Sequence, residues 1–265
     1  MEEKYIIDTL VLEITRDCTC ECDHCLRGDK EDIHMPNAFL RYIFGDGRIE
    51  GINNITFTGG EPSLNIQFIE KTMEICKQEK ISVRSIFVAT NGLQNQLELI
   101  MVMNQWMDYC MECCGYRPYH PAYRWKDIRS YLDEEPFSLS CSIDQFHPEM
   151  DPDIKGMFHS VIYYSKQKEL SYNLNGRGRQ NGVNLILSGK AYEYGFEGQE
   201  PLPFEEFHIY NDVIDMVYVT ALGYVYAGCN SSYDEMDACN QEENDIRRNK
   251  ILDIIIKTET VKKAC

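Results

Sequence analysis

The strongest constraint in this sequence is a cysteine-rich stretch at residues 18–25, which reads CTCECDHC and follows an apolar run. Cys18, Cys22 and Cys25 have the spacing C-x3-C-x2-C. Three thiolates so close together in the chain suit three corners of an iron–sulfur cube. Because the remaining corner then has no protein ligand, the spacing favours chemistry on a bound molecule over simple electron storage.

A glycine-rich turn is the second landmark. Residues 58–62, Thr-Gly-Gly-Glu-Pro, end the apolar run at residues 55–57. Adjacent glycines allow a backbone to approach a ligand closely, and Glu61 supplies an acceptor for an ammonium group. Together with the cysteine spacing, the turn resembles the radical S-adenosylmethionine (SAM) superfamily, whose GGEP motif binds the amino group of the SAM methionine. Members of that family usually have an aromatic residue before the last cysteine, and His24 has that position here.

The resemblance implies a reaction and a set of site residues. In this family SAM binds the open iron of a 4Fe-4S cluster, an electron from the reduced cluster breaks a sulfur–carbon bond, and the resulting 5′-deoxyadenosyl radical abstracts a hydrogen atom. The chemistry belongs to the cofactor, while the protein orients the reactants and excludes water. The resemblance makes the three cysteines ligands of one cluster and assigns SAM binding to Gly59, Gly60, Glu61 and Pro62. Cys20 lies outside the spacing and is expected to be a bystander.

Further contacts to SAM are implied at other predicted strand ends. Asn91, Ser142 and Asp144 end two predicted strands, where related enzymes place polar contacts to the SAM carboxylate and ribose. Arg177 lies in a glycine–arginine turn that resembles the family's candidate site for the SAM carboxylate, and His24 would lie beside the adenine. Each strand-end residue has an alternative role as a turn residue that bonds its own backbone. For His24 the alternative is a solvent-facing loop histidine.

Two residues are candidates for catalysis near the substrate. His147 follows Asp144 closely, and the pKa of a histidine can lie near neutrality, so this pair is a candidate for handling protons. A histidine at the entry to a helix, before Pro148, is an equally good interpretation.

The hydrophobic pattern predicts an α/β fold. Strands alternate with helices and the motifs lie at the carboxyl ends of strands, which indicates a parallel barrel with its site at that face. The count of about six units is similar to the family's partial (β/α)6 TIM-like barrel, followed by a short hairpin and a helix. We expect a barrel at residues 1–220 and a C-terminal extension at residues 221–265. The predicted strands cover residues 9–15, 52–58, 85–92, 137–144, 170–174 and 213–219, the hairpin returns at 225–227, and the predicted helices cover 36–44, 65–77, 97–106, 154–168 and 246–263.

Two regions outside the main motifs carry further cysteines. Residues 107–129 look irregular, with a lid or binding loop as the expected role. Cys229 and Cys239 follow the hairpin, an arrangement that resembles the start of the extensions that hold auxiliary iron–sulfur clusters in peptide-modifying members. A second, auxiliary cluster would need further ligands, which Cys110, Cys113, Cys114 or Cys265 would have to supply. Buried free thiols are the simpler interpretation.

Charge and hydropathy limit the partners. The formal net charge is −17, and the one dense basic patch is at residues 177–179, which argues against a nucleic-acid substrate. No apolar run approaches the ~20 residues that span a bilayer, and the N-terminus does not read as a signal peptide, so we expect a cytoplasmic protein without a membrane partner. The resemblance implies a reductant protein of the flavodoxin or ferredoxin type.

Several functions remain open at this point. A peptide substrate, as for a maturase, or a small metabolite fits the resemblance, and within the family an enzyme like the 7-carboxy-7-deazaguanine synthases is the alternative. Outside that class, a non-catalytic iron–sulfur electron carrier would want four cysteines per cluster and would have no use for the GGEP turn. A zinc protein would prefer paired C-x2-C sites.

Overall fold

The fold is organised around a mixed β-sheet. A computed structural model of the chain describes residues 3–113, 137–141, 151–153, 187–195, 198–200, 206–228 and 230–263. The strands are β1 (Tyr5–Thr15), β2 (Ile49–Gly59), β3 (Ser82–Thr90), β4 (Phe137–Cys141), β5 (Ile209–Tyr210), β6 (Val213–Val219) and β7 (Val225–Tyr226). Their order is β4-β3-β2-β1-β6-β5, with β7 also paired to β6. The first four strands and β6 pair in parallel, whereas β5 and β7 run antiparallel to β6.

Helices follow the parallel strands, as the α/β prediction requires. Within the described residues they are α1 (Leu40–Phe44), α2 (Ile66–Glu79), α3 (Gln96–Cys113), α4 (Lys190–Glu193), α5 (Tyr233–Ala238) and α6 (Ile251–Lys263). None of the described helices has the length and apolar character needed to cross a membrane. The α/β class is therefore confirmed.

The third helix corrects one expectation. The sequence interpretation ended this helix at Trp106 and placed irregular structure from residue 107, but α3 continues through Cys113. Met107, Cys110 and Met111 are buried because they continue the apolar face of the helix. The remainder of the expected irregular region lies outside the described residues.

The two faces of β1 have different neighbours. Leu10, Leu12 and Ile14 are fully buried in the main core. Val11, on the opposite face, packs with Tyr218 of β6 in a smaller cluster. Because successive strand residues alternate between faces, Glu13 shares the face of Val11. The sheet thus places a carboxylate inside the protein, next to the carboxyl end of β1.

The chain after residue 200 returns to the first strand. The predicted strand at 213–219 is confirmed as β6 and pairs with β1 from Ile6 to Leu12. The predicted hairpin is also confirmed, because β7 pairs antiparallel with the end of β6. The last helix begins at Ile251 rather than at residue 246. The predicted helix at 154–168 and strand at 170–174 lie outside the described residues, and the domain boundary at residue 220 stays a prediction.

Candidate functional site

The cysteine loop begins where β1 ends. Cys18, Cys20, Cys22 and Cys25 form no disulfide bond, and each is partly buried. The amide of Cys25 donates to the carbonyl of Cys22 at 3.0 Å, which closes a turn between two of the three motif cysteines. Burial raises the pKa of the Cys18 thiol to about 11. The metal-free thiol is therefore protonated near neutral pH, and binding of a metal would release that proton.

The two glycines of the GGEP turn lie against the chain that leads into the cysteine loop. The amide of Gly60 donates to the carbonyl of Thr15 at 2.8 Å. A Cβ at Gly59, where φ is +135°, would meet the Thr15 carbonyl oxygen at 1.9 Å, and a Cβ at Gly60 would meet that of Asp17 at 2.1 Å. Both positions therefore require glycine, because the chain's own backbone is already this close.

Glu61 is fully buried and its carboxylate is held by protein donors. One oxygen accepts from the Ser63 amide at 3.0 Å and the Thr90 hydroxyl at 2.7 Å, and the other accepts from the Asn91 amide at 2.6 Å. Burial raises the pKa of this carboxyl, and the hydrogen bonds from Asn91, Thr90 and Ser63 oppose the rise. The side chain thus ties the GGEP turn to the end of β3.

Asn91 extends the same connection to the cysteine loop. Its side-chain amide donates to the Thr19 hydroxyl at 2.9 Å and lies 3.5 Å from the Cys20 sulfur and 3.8 Å from the Cys18 sulfur. The side-chain oxygen accepts from the Leu93 amide at 3.1 Å. The residue is buried. Asn91 therefore positions the loop that carries the first ligand candidate.

His24 and Pro62 also lie within this assembly. His24 is 8% exposed, which excludes a solvent-facing loop histidine. Pro62 is buried and begins a short 3-10 turn, Pro62–Asn65, where the missing amide of proline costs no hydrogen bond. The GGEP turn is therefore a rigid corner between β2 and α2.

A buried ionic network lies beside the loop. Arg16 is fully buried and donates from Nε to Glu13 at 2.9 Å, while its two terminal nitrogens pair with the Asp237 carboxylate, each at 2.7 Å. The same guanidinium also donates to Glu31 at 3.1 Å. Glu13 accepts from the Tyr218 hydroxyl as well. Arg16 is buried and Asp237 is partly exposed, so loss of this partner costs about 1–3 kcal/mol, and the network favours one position for α5, which carries Asp237.

The far end of the cysteine loop is held by the same C-terminal segment. Arg27 is buried, donates to the Ser231 carbonyl at 2.5 Å and lies over the ring of Tyr218 at 5.2 Å. Its own carbonyl accepts from the Tyr233 amide at 3.0 Å. The two arginines that flank the motif, Arg16 and Arg27, thus both bind residues 231–237.

A third segment packs on the same corner. The amide of Lys190 donates to the Cys25 carbonyl at 3.0 Å. A Cβ at Gly189, where φ is +54°, would meet the Gly28 nitrogen at 2.6 Å. The hydroxyl of Ser188 accepts from the Ser232 amide at 3.1 Å. Residues 188–190 therefore link the cysteine loop to the start of α5.

The donor set fits a cluster better than a single metal ion. A tetrahedral ion with Zn–S bonds of 2.3 Å would hold its sulfurs about 4 Å apart. Among the described residues, one group of three possible metal ligands has its ligand atoms within 4.8 Å of one another. It consists of Asp17, Asp32 and His34 and contains no cysteine. The C-x3-C-x2-C spacing of Cys18, Cys22 and Cys25 is instead that of three cluster ligands.

The remaining predicted site residues lie outside the described part of the chain. They are Ser142, Asp144, His147, Arg177 and Cys229. Cys239 is described and is a free, partly buried thiol.

Sequence reasoning missed the groups that hold the loop in place, chiefly Glu13, Arg16 and Asp237. A signal was present for the first two, because a charged pair at the end of a strongly apolar strand must find partners when it is buried. No local signal identified Asp237, which lies in an acidic segment like many others in this chain.

The chain is similar to one protein family and to several solved structures. The model of the Radical SAM superfamily matches residues 12–187. No curated protein matches the chain. Among solved structures, anSMEcpe with bound AdoMet is 14% identical, with 94% of this chain and 80% of that chain covered and a TM-score of 0.43. Streptococcus suis SuiB bound to the precursor peptide SuiA is 12% identical, with 93% of this chain and 64% of that chain covered and a TM-score of 0.40.

The family match covers more than half of the 265 residues and includes both the cysteine loop and the GGEP turn. The residues themselves agree with it, because the spacing and the donor set suit a cluster with an open corner. The chain belongs to the radical SAM superfamily and is a radical-generating enzyme.

Proposed function

We propose that this enzyme holds one 4Fe-4S cluster through Cys18, Cys22 and Cys25 and binds SAM beside it at the GGEP turn. When bound, these groups supply a 5′-deoxyadenosyl radical, which abstracts hydrogen from a peptide or a small metabolite. The observation that carries the proposal is the direct hydrogen bonding of the turn to the cysteine loop. Gly60 and Glu61 donate to the carbonyls of Thr15 and Asp17, both at 2.8 Å.

The protein's own part is to hold two binding elements in a fixed relation. Glu61 and Asn91 join the GGEP turn, the end of β3 and the cysteine loop through hydrogen bonds of 2.6–3.0 Å. The Glu61 oxygens accept three described hydrogen bonds, which leaves acceptor capacity in the carboxylate. We assign the acceptors for the SAM ammonium to the turn, both its backbone carbonyls and the Glu61 carboxylate, which also holds the turn in place. A rigid site of this kind keeps the radical next to one C–H bond and excludes water.

A peptide is the substrate that we favour. The support comes from the hairpin of β6 and β7 followed by α5, because a hairpin and a cysteine-bearing segment resemble the extension of peptide-modifying members. The charge of −17 counts against a phosphorylated small molecule. A reductant of the flavodoxin or ferredoxin type would supply the electron.

The test is release of 5′-deoxyadenosine from anaerobically reconstituted, full-length protein given SAM and dithionite. Cys22→Ala should abolish release, because it removes a cluster ligand. Cys20→Ala is the matched control, since Cys20 is a partly buried thiol in the same loop but outside the spacing, and it should retain release. Protein that holds its cluster but releases no 5′-deoxyadenosine, with or without candidate peptides, would contradict the proposal and favour an electron carrier.

A further inference from the structure

One buried tyrosine lacks the partner that its neighbours have. Tyr233, at the start of α5, is 3% exposed, and its hydroxyl has no hydrogen-bond partner among the described residues. Tyr218 and Tyr226 pack in the same small cluster. The Tyr218 hydroxyl donates to Glu13, and the Tyr226 hydroxyl donates to the Met236 carbonyl at 2.8 Å. A buried hydroxyl without a hydrogen bond is costly, so a partner beyond the described residues is expected.

Tyr233 contacts residues at both ends of the cysteine motif. The backbone amide of Tyr233 donates to the carbonyl of Arg27, two residues after Cys25, at 3.0 Å. The Arg16 guanidinium, two residues before Cys18, lies 4.4 Å from the ring centroid. Burial raises the pKa of Tyr233, and the charges of Glu13 and Cys25 are further causes of the rise. Tyr233 is therefore a buried, protonated donor held by the two arginines that flank the cysteine motif.

We propose that the Tyr233 hydroxyl donates a hydrogen bond to a sulfur of the cluster site, either the Cys25 thiolate or an inorganic sulfide. This inference rests on the cluster of the proposed function. A hydrogen bond to cluster sulfur stabilises the more negative, reduced state and so raises the reduction potential. Tyr233 is thus a residue by which the C-terminal segment tunes the cluster.

The test compares the full-length holoprotein with its Tyr233→Phe variant in a redox titration followed by electron paramagnetic resonance. The variant should bind the same amount of iron and sulfide but have a more negative midpoint potential. Electron–nuclear double resonance in H2O and D2O should also show one exchangeable proton coupling of the reduced cluster lost. Tyr226→Phe is the matched control. In the wild type the Tyr226 hydroxyl bonds to protein groups, and its ring packs in the same group of buried apolar residues as Tyr233, so this variant should leave the potential unchanged.

A second measurement remains informative if Tyr233→Phe binds the cluster poorly. No described residue bonds the Tyr233 hydroxyl in the metal-free chain, so Tyr233→Phe in the full-length protein should not lower the melting temperature, whereas Tyr226→Phe should. An equal loss in both variants would overturn the inference, because it would show a protein partner for Tyr233. An unchanged potential with the proton coupling retained, or an equal shift in Tyr226→Phe, would also overturn it while leaving the proposed function intact. Wild-type protein that forms no cluster would overturn both.

Discussion

Single residues of the GGEP turn act first on the protein's own backbone. Gly59 and Gly60 bring the turn against residues 15–17, and Glu61 uses both carboxylate oxygens to hold Ser63, Thr90 and Asn91. The motif that marks the family in the sequence is therefore also a structural joint. Substitutions in the turn should therefore affect cluster binding and protein stability more than they affect SAM binding.

Gly60→Ala should reduce the iron content of the reconstituted protein. The added Cβ would meet the Asp17 carbonyl oxygen at 2.1 Å, so the backbone before Cys18 must move. Iron and sulfide analysis after anaerobic reconstitution measures the effect. Gly47→Ala is the control, because a Cβ at Gly47 meets nothing within 4 Å. Full iron content in Gly60→Ala would show that this close approach does not matter to the site.

Glu61→Gln should lower the free energy of unfolding by about 1–3 kcal/mol, because the new NH2 group must face a backbone or hydroxyl donor that has lost its acceptor. Urea unfolding without SAM measures the change. Glu79→Gln, at an exposed position, should stay within about 0.5 kcal/mol of wild type. Unaltered stability combined with weaker SAM binding would mean that the carboxylate serves the ligand instead.

Two elements far apart in sequence form one unit at the site. The cysteine loop and α5 are joined by Arg16 with Asp237 and by Arg27 with Ser231. The N-cap of α5 is satisfied by a capping box of Ser232 and Glu235, so the helix itself is well formed locally. The ionic network adds to the apolar contacts of Tyr233 and Met236 in holding α5 in place.

Asp237→Asn should lower both stability and iron content. The substitution leaves the buried Arg16 without one of its carboxylates, a loss of about 1–3 kcal/mol for a charged hydrogen bond. Urea unfolding and iron analysis measure the two effects. Asp234→Asn, on the same helix but exposed, is the control and should change little. Similar results for the two variants would argue against a role for the network in cluster binding.

A second ionic connection ties β2 to α6 and predicts a pH dependence. Burial alone would raise the pKa of Asp46, but hydrogen bonds from the Arg48 side chain and amide outweigh it and hold the pKa below its usual value. Arg48 also reaches Asp253 of α6 at 2.7 Å. A depressed pKa in the folded state adds stability above the unfolded pKa, and this stability is lost as pH falls through the folded pKa.

The difference in unfolding free energy between wild type and Asp46→Asn should therefore be constant near neutral pH. It should shrink as the pH falls below about 4, the usual pKa of aspartate. Urea unfolding over a pH series measures this difference. Asp253→Asn should show a smaller effect, because the Asp253 side chain is 56% exposed. A difference that grows on acidification would contradict the assignment.

At the scale of the whole molecule, β1 joins the early and late parts of the chain. Residues 9–12 pair with β2 on one side and with β6 on the other. Leu10 and Leu12 are fully buried. The site at the end of β1 is thus anchored in the most enclosed part of the described sheet.

Hydrogen exchange should therefore be slowest in residues 9–12 and fast in β5, a two-residue edge strand. Mass spectrometry of the metal-free and cluster-loaded protein measures this order. Loading the cluster should slow exchange at residues 16–27 and also at residues 230–238, because the network joins them. Protection limited to the cysteine loop would contradict that coupling.

The local elements and the chemistry of the motifs were predictable from short stretches of the sequence. The apolar runs at 9–15 and 52–58, the GGEP turn and the C-x3-C-x2-C spacing each depend on neighbouring residues, so β1, β2 and the two motifs were predictable. The end of α3 was not predicted well, because a helix that continues through cysteines and methionines lacks a clear stop signal.

The surroundings of these motifs depend instead on contacts between distant parts of the chain. The pairing of β6 with β1, the closure of Arg16 on Asp237 and the burial of Tyr233 join residues that are about two hundred positions apart, and no local pattern encodes such pairs. The structural contacts of Glu61 were not predictable for the same reason, since its partners Thr90 and Asn91 come from the end of another strand. Local sequence thus specifies the candidate ligands, while long-range packing specifies how firmly the loop that carries them is held.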